Sequence, residues 1–419
     1  MEACDDVQKA SSLKEKLDRQ SLFYLNMCAR CGVCKDACHI YSATKNPQHV
    51  PAYRAELLRR VLIGQTGWSG RMFPALNKAR KLDESSLDEL YQAAYTCTNC
   101  RRCMVYCPYG IDVGYLMGVA KRILVKMGKP PEVLEMLADA AIEKGNSIED
   151  FRDFFKEQIS GLESEVQRLS GIADARIPVD KQGAKVLYVA LAGAHSIVPA
   201  AVVFNVAQED WTLSVFEGAN YGYFLGDTER AAKISNRIVE EAKSLGVQTV
   251  AITECGHTYR ILKHLQEAWT GEKFTFEVVS SLQLFADYVK QSRIILDPRK
   301  NSEPVTYHDP CQLGRNGGVF EEPRFVVQAL STDYREMSPN RGDNWCCGGG
   351  GGLVAQMELE EFRAQTGQAK AEQMRQTGAK IVATPCENCR IQLALLNERY
   401  DLGIEVKSVM DLVVNALVV

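Results

Sequence analysis

The sequence predicts an α + α/β protein: a helical N-terminal domain followed by two related α/β lobes with parallel strands. Three observations predict it. Eight cysteines between positions 28 and 107 fall into two copies of one spacing. From Lys185 onward, short apolar runs alternate with amphipathic helical segments. A pattern that begins at Glu241 returns at Glu372, an offset of 131 residues. A chain of 419 residues is long enough for about two to four domains.

The first cysteine run is Cys28-x2-Cys31-x2-Cys34-x3-Cys38, and the second is Cys97-x2-Cys100-x2-Cys103-x3-Cys107 followed by Pro108. Each resembles the run that holds paired 4Fe–4S cubanes in bacterial ferredoxins, where the fourth thiolate of each run crosses to the other cluster. The spacing rule therefore assigns Cys28, Cys31, Cys34 and Cys107 to one cubane, and Cys97, Cys100, Cys103 and Cys38 to its partner. Zinc ribbons use two CxxC pairs rather than two four-cysteine runs. Disulfide scaffolds are small secreted domains. One departure stands out: His39, not proline, follows Cys38.

The hydrophobic fraction of 46% suits a globular chain with a sizeable core. There is no run of about 18 apolar residues, so no segment is expected to span a bilayer. The polar, acidic start has no apolar leader, and 15 cysteines suit thiolate ligation in a reducing compartment. The expected location is the cytoplasm, reaching the inner face of the membrane only through a partner. A formal charge of −4 excludes general affinity for nucleic acid or anionic lipid.

Residues 1–20 read as a polar helix or tail. Pro51–Ile63 reads as a helix with proline in its first turn, and Gly114–Met127 as another. Helices between and after the cysteine runs indicate a helical ferredoxin type over residues 1–125. A helical linker follows at 126–183, with apolar residues at helical spacing from Ile148 to Leu169 and a glycine-bounded link from Gly171 to Gly183. Strands are expected at Lys185–Leu191, Val247–Thr253, Pro304–His308 and Ala379–Thr384, and helices at Asp227–Leu245 and Met357–Thr377, stopped by Gly246 and Gly378. The repeat of helix, glycine, strand, cysteine and helix divides the remainder into Rossmann-like lobes at 184–300 and 301–419. Ligands of open α/β sheets bind at the strand C-termini, where the cysteines fall.

The last lobe holds five cysteines: Cys311, the pair Cys346-Cys347, and Cys386-x2-Cys389, with spacers of 34 and 38 residues. Adjacent cysteines poorly serve one tetrahedral metal, and five thiolates exceed the need of a cubane. This constellation, with Thr306-Tyr-His-Asp-Pro-Cys-Gln-Leu-Gly-Arg315 and Trp345-Cys-Cys-Gly-Gly-Gly-Gly-Gly-Leu353, resembles the CCG, or cysteine-rich, domain of the D-type and B-type heterodisulfide reductases. The resemblance implies a non-cubane 4Fe–4S cluster held by Cys311, Cys346, Cys347, Cys386 and Cys389. The other lobe departs from the pattern: Glu217-Gly218-Ala219 stands where Cys-Cys-Gly is expected, and Thr258 lies three residues after Cys255. That lobe is expected to hold no cluster, which favours the single-site D-like relatives.

The resemblance implies an anaerobic iron–sulfur oxidoreductase subunit. It would carry electrons between two cubanes and a terminal cluster at which Cys346 and Cys347 take part in the chemistry. The alternative is a pure relay with no disulfide substrate, inside a flavoprotein- or quinone-linked dehydrogenase or an acyl-CoA reductase complex. Implied partners are a flavoprotein subunit (heterodisulfide reductase A-like or electron-transfer-flavoprotein-like), other electron-transfer subunits, and a membrane cytochrome or quinone link. No dinucleotide fingerprint follows the strands, so flavin or nicotinamide chemistry is expected from another subunit.

The run Gly348, Gly349, Gly350 and onward lacks a Walker spacing and is read as close backbone approach, with N–H groups toward cluster sulfurs. His308 is either a proton donor beside the cluster or a brace of the strand end. Cys255 and His257 either face the intact cluster or are relics in an apolar site. Arg315 and Arg390 either bind an anionic group or form ordinary ion pairs. Three clusters of four irons give roughly 12 iron atoms per chain. Colorimetric iron analysis of anaerobically purified protein should return that value, and about eight would remove the third cluster.

Overall fold

The computed structural model describes residues 18–66, 72–145, 151–191, 193–253 and 255–419. Cys4, most of the polar N-terminal segment and Ile148 lie outside them. The described residues pack as two compact units. One comprises the residues up to Glu135 together with Phe224–Asp227 and Gly348–Ala369; the other comprises Met136–Tyr223, Thr228–Cys347 and Lys370–Val419.

The first unit is helical. Its main helices are Arg19–Met27, His39–Thr44, Pro51–Thr66, Glu84–Tyr95 and Val113–Lys126. Asp83 and Asp112 start the last two, their carboxylates accepting from the backbone N–H groups of Ser86 and Tyr115 at 3.0 Å each. Leu58, Val61, Leu90, Leu116, Met117 and Leu124 form the apolar interior between these helices. The two later segments are tied in by buried polar contacts. Lys121 is fully buried, and its ammonium donates to the carbonyls of Phe224 and Gly351 at 2.9 Å each. It also lies 4.8 Å from the Tyr95 ring centre. The Tyr95 hydroxyl donates to Leu225 O at 2.9 Å. Gly226 sits at φ +86, where an added Cβ would come within 2.3 Å of the Lys121 Cβ.

His39 now has a physical account. Its buried ring bonds Thr366 O through Nδ1 at 3.0 Å and Thr98 Oγ1 through Nε2 at 3.2 Å. The residue after Cys38 thus ties the first cysteine run both to the residue beside Cys97 and to the 348–369 segment.

The second unit is mixed α/β with two small parallel sheets. Strands β1 (Val186–Val189), β2 (Trp211–Leu213), β3 (Thr249–Ile252) and β4 (Glu277–Ser280) form one, in the order β2-β1-β3-β4. Strands β5 (Val305–Tyr307), β6 (Ile381–Thr384) and β7 (Glu405–Ser408) form the other, in the order β5-β6-β7. All five strand pairings are parallel. One apolar cluster contains residues of both sheets, including Tyr188, Leu213, Tyr307 and Ala383, and of the helices Ala194–Val206, Ser281–Lys290, Glu321–Leu330 and Val409–Ala416.

The internal repeat has a local counterpart. The helices before β3 and β6 end at Gly246 and Gly378, at φ +68 and +61, the left-handed region that glycine enters without penalty. After the strands, Cys255 and Cys386 are the residues that start the helices Gly256–His264 and Glu387–Arg399. The expected single helix over 357–377 is instead interrupted. Glu360–Thr366 and Gln368–Thr377 are separate helices with Gly367 between them, and the change of unit falls two residues later. Glycine is the weakest helix former after proline, so the break falls where propensity is lowest.

The turn after β5 is fixed by a buried ion pair. The Arg324 guanidinium donates to both carboxylate oxygens of Asp309, at 2.8 and 2.6 Å, and to Glu336 at 2.7 Å. The Arg341 backbone N–H also donates to Asp309, at 2.8 Å. Removing one partner of such a pair strands a buried charge. Arg324→Met is therefore expected to destabilise this unit by about 3–5 kcal/mol, read as a lowered thermal midpoint in scanning calorimetry under anaerobic conditions.

Candidate functional site

In the first unit, Gly32 takes φ +81 and starts the short turn Val33–Lys35, which places Cys31 and Cys34 around one space. That space is a cavity lined by Cys28, Cys31, Cys34, Cys103 and Cys107, with walls that include Ala52, Ile111 and Val113. The three leading cysteines of the first run thus meet the last cysteine of the second. Burial, with the neighbouring Cys28, Cys107 and Cys38, pushes the Cys34 thiol up to about 11. Burial also raises Cys38, which lies close to Cys97 and to the Arg54 guanidinium. Cys103 is raised further by burial, with Cys38, Cys97 and Cys34 as its neighbours. Thiols gathered in this way keep their protons unless a metal cation replaces them. An iron–sulfur group therefore fits this donor set.

The glycine run packs closely where the first unit holds Cys97. A Cβ on Gly350 would lie 2.9 Å from Thr98 O, and one on Gly351 would lie 2.5 Å from Cys97 O. Gly351 is also at φ +70. No side chain fits at these positions, so the run is required for close approach of backbone to backbone.

In the second unit, Cys311, Cys346, Cys347, Cys386 and Cys389 are all buried. Cys347 Sγ lies 3.3 Å from Cys389 Sγ. A ring nitrogen of His308 and the sulfurs of Cys347 and Cys389 all lie within 4.8 Å of one another. Cys386 has its thiol pKa lowered by the Cys389 thiol and by the backbone N–H groups of Cys389 and Gly256. This is the response expected of a thiol at a helix N-terminus. Cys389 is raised well above the ordinary thiol range by its hydrogen bonds with Cys347 and Cys386 and by burial. His308 is held neutral by burial and by Lys370, and its Nε2 has no hydrogen-bond partner among the described residues. An orphaned imidazole nitrogen beside packed thiols is a polar edge without a partner, and a metal–sulfur group fits such a site.

The remaining sequence candidates fall as follows. Cys255 is buried, its thiol is pushed up to about 11 by burial, and Cys386 is among its electrostatic neighbours. Gly256 packs on the turn after Cys311; an added Cβ would lie 2.7 Å from Leu313 N. Arg315 braces the loop before the cysteine pair by donating to Gly342 O at 2.7 Å and to Asn344 O. Arg390 pairs with Glu387, and with Asp411 at 3.8 Å. Sequence reasoning missed Lys370, Asn344 and Gln373. All three are buried, and Lys370 Nζ donates to Asn344 Oδ1 at 2.7 Å and to Gln373 Oε1. The polar stretch Gln368-Ala-Lys-Ala-Glu-Gln373 reads as a solvated helix face, so no signal marked it.

Comparison with known proteins agrees with this chemistry. Residues 24–111 match the 4Fe-4S dicluster domain family, and residues 305–394 match the cysteine-rich CCG domain family. The chain is 30% identical to the Hdr-like menaquinol oxidoreductase iron-sulfur subunit 2 of Archaeoglobus fulgidus, over 97% of this chain and 82% of that protein. It is 26% identical to the D component of the dihydromethanophenazine:CoB–CoM heterodisulfide reductase of Methanosarcina mazei, over 98% of both chains. It is 23% identical to the EtfAB:quinone oxidoreductase of Syntrophomonas wolfei, over 90% of this chain and 55% of that protein.

Two substitutions probe the ligand sets. Cys347→Ser should remove one cluster signal from the electron paramagnetic resonance spectrum and leave both cubane-type signals. Loss of all signals would show that the sites are not separable. Cys255→Ser should leave the iron content unchanged, and loss of about four irons would make Cys255 part of a cluster.

Proposed function

Because this chain belongs to the family of heterodisulfide-reductase-like iron–sulfur subunits, we propose that it is an oxidoreductase subunit passing single electrons between two cubanes and a third, non-cubane cluster. Cys28, Cys31, Cys34 and Cys107 hold one cubane, and Cys38, Cys97, Cys100 and Cys103 the other. Cys311, Cys346, Cys347, Cys386 and Cys389 hold the third cluster, within two related Rossmann-like lobes of which only the second binds metal. The observation that carries this reading is the cavity that brings Cys107 to Cys28, Cys31 and Cys34, as the crossover of a two-cubane module requires.

When bound, the clusters supply reversible one-electron storage. The chain's own residues set the conditions for it. Ala52, Ile111 and Val113 place apolar side chains around the half-buried Cys34. The N–H groups of Cys389 and Gly256 stabilise a thiolate at Cys386. Gly350 and Gly351 let backbone approach Thr98 and Cys97 where a side chain would intrude. His308, neutral and beside Cys347 and Cys389, holds a ring nitrogen at an edge of the site that can exchange a proton.

The relatives named above act with a menaquinol, with a methanophenazine and a heterodisulfide, and with an electron-transfer flavoprotein and a quinone. Their shared feature is a partner that delivers or accepts electrons. No helix among the described residues is long and apolar enough to cross a membrane; the reading places a quinone-type carrier on another subunit. A flavoprotein is the partner on the other side.

The experiment uses anaerobically purified, chemically reduced protein, offered a thiol disulfide in one cell and a soluble quinone in another. Disulfide turnover marks a heterodisulfide reductase. Cluster reoxidation without disulfide turnover marks a relay. Native mass measurement of the complex from its source should show a flavoprotein partner, and a monomer active alone with NADH would overturn the assignment.

A further inference from the structure

Lys370 lies at the beginning of the segment that re-enters the second unit and is fully buried. A buried ammonium ordinarily pairs with a carboxylate, because desolvation of an unpaired charge is costly. Among the described residues Lys370 has no such partner. Its contacts are neutral: Asn344 Oδ1 at 2.7 Å, Gln373 Oε1, and Met337 Sδ at 3.6 Å. The carboxylate in its electrostatic surroundings, Asp309, is already held by both arms of the Arg324 guanidinium. The other groups that act on Lys370 are the thiols of Cys347, Cys346 and Cys389, each of which favours its charged form against the cost of burial.

The two amide oxygens are themselves fixed. Asn344 Nδ2 donates to Asp309 O at 2.9 Å and faces His308 Nδ1 at 3.4 Å. Gln373 Nε2 donates to Pro339 O. The amides therefore present their oxygens to the ammonium and cannot rotate away without losing those bonds. Asn344 stands two residues before Cys346, so the same loop carries the cluster ligands and the clamp on the cation.

We propose that Lys370, clamped by Asn344 and Gln373, is the counter-ion of the cluster held by the five cysteines and raises its reduction potential. This inference rests on the reading of those cysteines as cluster ligands. Adding an electron to the cluster adds one negative charge beside a fixed ammonium in a low-dielectric interior, so the reduced form is favoured. Net charge, burial and outer-shell contacts are the means by which proteins set such potentials. Lys370 is a positioning residue here: it touches no substrate and acts through the cluster.

The test is a redox titration followed by electron paramagnetic resonance on the whole protein, comparing wild type with Lys370→Met and Lys370→Arg. The methionine variant keeps the volume and removes the charge. Its non-cubane signal should become harder to reduce by at least tenfold, about 59 mV for a one-electron couple, while both cubane signals titrate as in wild type. The arginine variant should recover most of the shift. A wild-type potential in Lys370→Met with its iron retained overturns the proposal. Where Lys370→Met fails to retain iron, Lys370→Gln serves instead, since its amide still donates to Asn344; an unchanged potential there overturns the proposal equally. Failure of the underlying reading shows differently, as wild-type protein with about eight irons and no third signal to titrate.

Discussion

Burial among other sulfurs disfavours the thiolate at several of these cysteines, with Cys386, at a helix N-terminus, the exception, and that tension runs through both units of this chain. Cys34, Cys103 and Cys389 all sit where burial and neighbouring sulfur disfavour the thiolate. Such packing contributes little to a metal-free fold, because the sulfurs are weak donors and acceptors. It becomes favourable when iron takes the place of the protons and binding free energy becomes folding free energy. Within the first unit the turn at Gly32 and the apolar walls around Cys34 gather sulfur, and within the second unit the helix N-terminus at Cys386 does so.

Each unit also carries a buried lysine near these sulfurs. Lys121 in the first unit and Lys370 in the second are each fully buried and each held by neutral oxygens. Both have cysteine among their electrostatic neighbours, Cys97 for Lys121 and Cys346, Cys347 and Cys389 for Lys370. Lys121 also has a structural role within its unit, joining the helix Val113–Lys126 to two segments that return from far along the chain. His39 makes a similar bridge from the other side, through Thr98 and Thr366.

Much of this was legible in the sequence because cysteine spacing is a geometric code. The two four-cysteine runs, the Cys311 to Cys389 constellation, the glycine stops at 246 and 378 and the strands leading to Cys255 and Cys386 all come from local pattern. Three strands were not foreseen: Trp211–Leu213, Glu277–Ser280 and Glu405–Ser408 are short edge strands, and their pairing is decided by the neighbour rather than by their own residues. The return of residues 224–227 and 348–369 to the first unit was equally invisible, since it depends on Lys121 and Tyr95 meeting carbonyls more than 100 residues away. The Lys370 clamp escaped notice because a lysine among Gln, Ala and Glu looks like any solvated helix face.

The central claim is that one chain holds two kinds of iron–sulfur cluster. Mössbauer spectroscopy of protein grown on iron-57 tests it most directly, because it counts iron by environment. The account predicts that roughly two-thirds of the absorption belongs to cubane-type iron and about one-third to a distinct, non-cubane environment, the latter disappearing in Cys347→Ser. A spectrum of cubane-type iron alone, in protein loaded to the same total, would contradict it.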